Sequence, residues 1–185
     1  RFRPIKKLSF SLSYNERSNI IYYETYKDYV QRLIDEETMQ GFRFQINIRP
    51  SNKISFGMKA GYRSRKQDPS ASKNVYTYLS FSRIASIDAS VRLSATLLKS
   101  SYLKGSIYSL NIAKELIPGK LNSNISYRFV NYNYVNYDNT LVQHVGDINL
   151  NLSIKKNVSL SLSYESIFEK ENRYSRLYLN LIKRF

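Results

Sequence analysis

One histidine, two carboxylates and a set of basic residues are the places where this sequence could do chemistry. His144 is the only histidine among 185 residues. A Ser-His or Asp-His hydrolase would need it as the general base. It falls between Val135 and Val145 with no serine-rich motif beside it, and its parity matches the apolar residues that follow. It therefore reads as a loop or interface histidine. Asp147 and Glu165 fall on the polar side of two adjacent predicted strands. They could form an acid/base pair, but they read better as counter-charges to arginines on the same side. The chain has no cysteine, and nothing has metal-ligand spacing. The sequence predicts no cofactor, no metal and no enzyme.

The basic residues carry more. Arg43, Arg49, Lys59, Arg63, Arg92, Arg128 and Arg176 share the polar side with Asp147 and Glu165. Seven basic against two acidic residues leave five positive charges on one wall. Low-dielectric walls focus such a field, and rings of Arg and Lys are how anion pores are built. The alternative is that an acidic plug, a partner or further strands neutralise them, because an unpaired buried charge is costly. The formal net charge of +15 also suggests an anionic partner. Nucleic acid does not fit: no aromatic RNA-binding motif is present, and many strand tyrosines lie on the apolar side.

Positioning these residues falls to strands. Apolar and polar residues alternate with a period of two over Leu8–Tyr14, Phe42–Arg49, Ile54–Arg63, Val75–Arg83, Ala89–Leu98, Tyr102–Ala113, Leu121–Tyr134, Gly146–Lys155, Val158–Phe168 and Asn172–Phe185. Tyr102–Ala113 alternates least cleanly. The connections alternate in length: tight at Pro50–Lys53, Ile84–Asp88, Leu116–Lys120 and Lys155–Asn157, longer at Asn15–Gly41, Ser64–Asn74 and Val135–Val145. Leu98–Ser101 and Glu169–Glu171 are short exceptions. Four segments echo one another and end in a tyrosine on the apolar side: Tyr14, Tyr62, Tyr127 and Tyr164. Tyrosine suits a membrane interface, with an apolar body and a polar tip.

The polar sides are mostly Ser, Asn, Gly and Arg, and acids are rare on strands. Small polar residues suit the inside of a closed barrel; a soluble sandwich would carry Lys, Glu, Asp and Thr there and protect its edges. No run approaches the ~18 apolar residues of a membrane helix, and alternating strands give that same blank result. The fold class expected is all-β: an antiparallel up-and-down transmembrane β-barrel with about ten strands in this chain.

The last segment makes this expectation specific. In Asn172–Phe185, Leu177, Leu179, Leu181 and Phe185 fall on one side, and Arg176, Tyr178, Asn180 and Arg184 on the other. A terminal strand ending in an aromatic residue resembles the C-terminal signal strand of Gram-negative outer-membrane β-barrel proteins. Lys183 departs from that pattern by sitting on the apolar side, from where a lysine near a boundary can snorkel to water. The resemblance implies location in the bacterial outer membrane, contact with outer-membrane lipid, and recognition of Tyr178, Leu179, Leu181 and Phe185 by the barrel-assembly machinery.

Residues 1–185 read as one barrel portion, with residues 15–41 a long acidic extracellular loop. That loop holds Glu16, Glu24, Asp28, Asp35, Glu36 and Glu37, with Tyr26, Val30, Leu33 and Ile34 at helical spacing. Arg3–Phe10 parallels Arg49–Phe56, where a strand precedes the proline. Residues 1–4 are therefore expected to be the tail of a strand that begins before Arg1, and the sequence reads as the C-terminal part of a larger barrel. The expected role is a pore or translocation channel for solutes or polypeptides. A structural or assembly subunit with a filled lumen is the alternative, with an upstream plug, a periplasmic domain or other subunits as further partners. An outer-membrane enzyme is a third and weaker reading.

Overall fold

The computed structural model describes residues 2–5, 7–15, 41–64, 71–84, 86–135, 139–155, 157–170 and 172–183. The acidic loop at 16–40 lies outside the described residues, as do Arg184 and Phe185. Eleven strands follow in chain order: β1 (Phe2–Ile5), β2 (Leu8–Asn15), β3 (Gly41–Ser51), β4 (Ile54–Arg63), β5 (Ser72–Ile84), β6 (Ala89–Lys99), β7 (Leu103–Ile117), β8 (Leu121–Tyr134), β9 (Asn139–Lys155), β10 (Val158–Glu169) and β11 (Arg173–Lys183). They form one sheet in the order β1 to β11, each strand antiparallel to its neighbour. There is no helix among the described residues. No pairing joins β1 to β11 among the described residues, so the sheet is open.

Side-chain parity fixes the register. On one face Leu160, Leu162 and Tyr164 stand opposite Leu181, Leu179 and Leu177, and opposite Leu152, Leu150 and Ile148 on the other neighbour. A slip by one residue would put serines among leucines along the whole strand, so the alternation holds the pairing. The same face carries Leu12, Phe44, Phe56, Leu93 and Ile125, all exposed. The opposite face is polar and holds most of the buried side chains, including Arg63, Asn74, Ser80 and Thr96. Among the described residues no element stacks on either face, so the concentration of burial on one side means that the sheet curls toward it.

Several expected boundaries move. The strand expected at Val75 starts at Ser72, and the one expected to end at Ala113 runs to Ile117. The strand expected at Gly146 starts at Asn139, so Val135–Val145 is not a loop and His144 lies within β9. Leu141, Val142, His144 and Val145 do not alternate in hydrophobicity, which hid this half of the strand. The contrast between the two ends of the sheet therefore rests on Asn15–Gly41 and Arg63–Ser72. The N-terminal residues do pair, as the short β1, with Phe2 opposite Phe10 and Ile5 opposite Leu8.

Candidate functional site

The polar face is the candidate site, and register decides which residues share it. Arg43 faces Gly61, Lys59 faces Tyr76, and Arg63 faces Ser72. Arg92 lies between Ser80 and Asn111, and Arg128 between Ser109 and Val145. Arg176 faces Glu165. Six of the seven expected basic residues thus share one face. Arg49 falls in the bulge between Ile48 and Ser51, where the register shifts. It is exposed, and its N–H donates to the Lys7 carbonyl at 2.7 Å.

Four of these basic residues fall into two groups by surroundings. In the first, Asp147 and Glu165 stand opposite one another on β9 and β10. Arg128 Nη2 lies 3.4 Å from Asp147 and 3.9 Å from Glu165, and Arg176 Nη1 lies 3.9 Å from Glu165. Ser126 Oγ donates to Asp147 Oδ2 at 2.7 Å. Across four strands two adjacent anions are flanked by a cation on either side. The two carboxylates are thus bracketed by guanidinium groups, and Asp147 also by a hydroxyl. In the second group the partners are aromatic. The Arg92 guanidinium lies 5.4 Å from the Tyr78 ring centre, and Lys59 Nζ 5.8 Å from that of Tyr76, at cation–π range. The Tyr78 hydroxyl donates to Asn47 Oδ1 at 3.1 Å.

Glycines make room for these rings. A Cβ on Gly57 would lie 2.2 Å from the Tyr78 ring, and one on Gly105 2.1 Å from the Tyr132 ring. Each glycine lets an aromatic side chain of the next strand lie flat over the backbone, which a larger residue would prevent.

Two features of this face were missed in the sequence. The first is an apolar cluster of Leu98, Leu103, Ile107, Val130 and Tyr132, with Tyr134 and Leu141 packed against it. It sits on the polar face at the end of the sheet where β6 turns into β7. The signal was the imperfect alternation of β7, where Ile107 and Tyr108 are adjacent and point to opposite faces. The second is further acid. Glu169 pairs with Gln143 in register and accepts its side-chain N–H, while Glu115 faces Asn122. Both share the parity of Asp147 and Glu165, so the positive excess is smaller than the sequence suggests.

His144 lies on the apolar face, with Nδ1 2.6 Å from the Tyr127 hydroxyl and its ring 5.1 Å from that of Phe129. Among the described residues no His, Asp and Glu group could hold a metal ion. The four expected interface tyrosines are all on the apolar face but not in one row. Tyr14 and Tyr62 both stand opposite Phe42. Tyr127 and Tyr164 stand nearer the middle of their strands, opposite Leu110 and Leu177. Tyr178, Leu179 and Leu181 of the expected assembly signal lie on β11, with Tyr178 on the polar face and the two leucines on the apolar face.

No protein-family model matches the chain, and neither does any curated protein or solved structure.

Proposed function

We propose that this chain forms part of the wall of a transmembrane β-barrel in the bacterial outer membrane, with its apolar face toward lipid and its polar face toward the lumen. One observation carries the reading: a single-layer sheet exposes large apolar side chains on one face from β2 to β11. In water that surface would far exceed what a soluble monomer exposes. In a bilayer it is the required outer surface, and only closed sheets or helices satisfy the backbone there. The unpaired edges of β1 and β11 would then be closed by further strands, from upstream sequence or an associated chain. Leu179 and Leu181 of β11 suit recognition by the barrel-assembly machinery.

Within that wall the first role is passage of solutes or polypeptides along the polar face. The supporting residues are Lys59 and Arg92, which lie over the rings of Tyr76 and Tyr78. The second role is a filled lumen in a structural or assembly subunit. It is favoured by the cluster around Ile107 and Val130, which gains nothing from facing a water-filled channel. Planar-bilayer recording of the closed barrel separates them. Steady conductance with anion preference in a salt gradient supports passage, and a silent, stably inserted barrel supports the filled lumen. Among the described residues no catalytic constellation supports the enzyme reading.

A further inference from the structure

Three lysines stand abreast on the apolar face. Lys73 of β5 pairs directly with Lys99 of β6, which pairs with Lys104 of β7. All three are exposed. Neighbouring strands are about 5 Å apart, and like charges placed directly opposite destabilise a sheet. Among the described residues none of the three is paired with a carboxylate; Lys73 Nζ instead lies 5.8 Å from the Tyr62 ring centre. The row continues into an amide, Asn133, opposite Lys104. An isolated interfacial lysine needs no explanation, because it snorkels. Three in register make a site for a group with several negative oxygens.

A groove runs from that row. Its upper part, of about 420 Å3, has Lys73, Lys99 and Lys104 at its rim, with Val75, Leu97 and Tyr108 among its apolar lining. A second stretch, of about 480 Å3, continues along the same face over Leu93, Ala95 and Leu110, and Tyr108 lines both. Ala95 is the small residue that opens the trough between Thr77 and Tyr108, its neighbours in the row. A cationic rim leading into an apolar trough is the shape of an amphiphile with an anionic head.

We infer that Lys73, Lys99 and Lys104 bind the phosphate headgroup of a membrane lipid, whose acyl chain lies in the trough past Tyr108 and Ala95. This rests on the membrane reading above. Each lysine near a membrane surface strengthens attraction to an anionic headgroup by about fivefold.

The test uses the closed barrel, this chain together with the strands that complete it, refolded into phosphatidylcholine nanodiscs doped with phosphatidic acid, with retained lipid read by native mass spectrometry. Insertion is read first. The expected result is selective retention of phosphatidic acid. Lys99→Gln with Lys104→Gln should lower it by about twenty-fold or more. Lys114→Gln with Lys120→Gln, at the other end of the sheet, should leave it within about twofold. Ala95→Phe fills the trough without changing charge and should also lower retention, whereas inorganic phosphate should compete poorly. Insertion without selectivity, equal loss in both lysine pairs, or competition by inorganic phosphate as effective as by lipid overturns the inference alone. Failure to insert overturns it together with the membrane reading.

Discussion

Asp147 and Glu165 face each other across β9 and β10, and Arg128 reaches both, at 3.4 and 3.9 Å. Two carboxylates in register repel, so the arginine is what makes the pairing tolerable. Arg128→Gln should destabilise the sheet by about 1–3 kcal/mol, because it removes the cation shared by two facing half-buried carboxylates. Adding Glu165→Gln should restore much of that loss. Urea unfolding of the single and double variants in detergent measures the coupling, and strictly additive losses would rule out the network.

The same network bears on selectivity. Arg128→Ser with Asp147→Asn removes one charge of each sign and should leave any ion preference unchanged. Lys59→Ser with Arg92→Ser removes two positive charges and should lower anion preference. Reversal potentials of the two double variants are the comparison. An equal shift in both would mean that local charge on this face does not govern permeation.

Glycine substitutions separate close packing from open space. A Cβ on Gly105 meets the Tyr132 ring and also the Asn131 carbonyl oxygen at 2.8 Å, and backbone cannot swing aside. Gly105→Ala should cost about 1–3 kcal/mol. At Gly146 a Cβ meets nothing within 4 Å, and Gly146→Ala should be neutral to within about 0.5 kcal/mol. Unfolding midpoints of both variants check the contrast, and similar losses at both sites would contradict the ring-over-glycine packing.

Local alternation made the apolar face legible. Leu150, Leu152, Leu160, Leu162, Leu179 and Leu181 could be assigned to one side from sequence because serine or asparagine mostly separates them. Their cross-strand pairing follows from the same pattern and the tight turns. The cluster on the polar face was not legible in this way. Ile107 and Val130 share parity with Ser109 and Arg128, and only the pairing of β7 with β8 brings them together. The row of Lys73, Lys99 and Lys104 was hidden for the same reason, since each lysine is an ordinary strand-end residue until register aligns the three. Tyr132 over Gly105 likewise depends on a neighbour that is distant in sequence.

Face assignment makes an energetic prediction. In a bilayer, arginine replacing Leu150, Leu160 or Leu179 near the midplane should cost roughly 2–4 kcal/mol. Arginine replacing Asn149, Ser161 or Asn180, one residue away on the other face, should cost much less. Reversible unfolding from lipid vesicles gives both sets. Equal costs would mean that the two faces meet the same solvent.

The chain contains no tryptophan, so a single one introduced at a chosen position reports on that position alone. Leu93→Trp on the apolar face and Ser94→Trp on the polar face can be compared in vesicles whose lipids carry brominated acyl chains. Strong quenching at position 93 with little at position 94 is the expected result. Equal quenching at both positions, or none at position 93, would contradict an apolar face turned toward lipid.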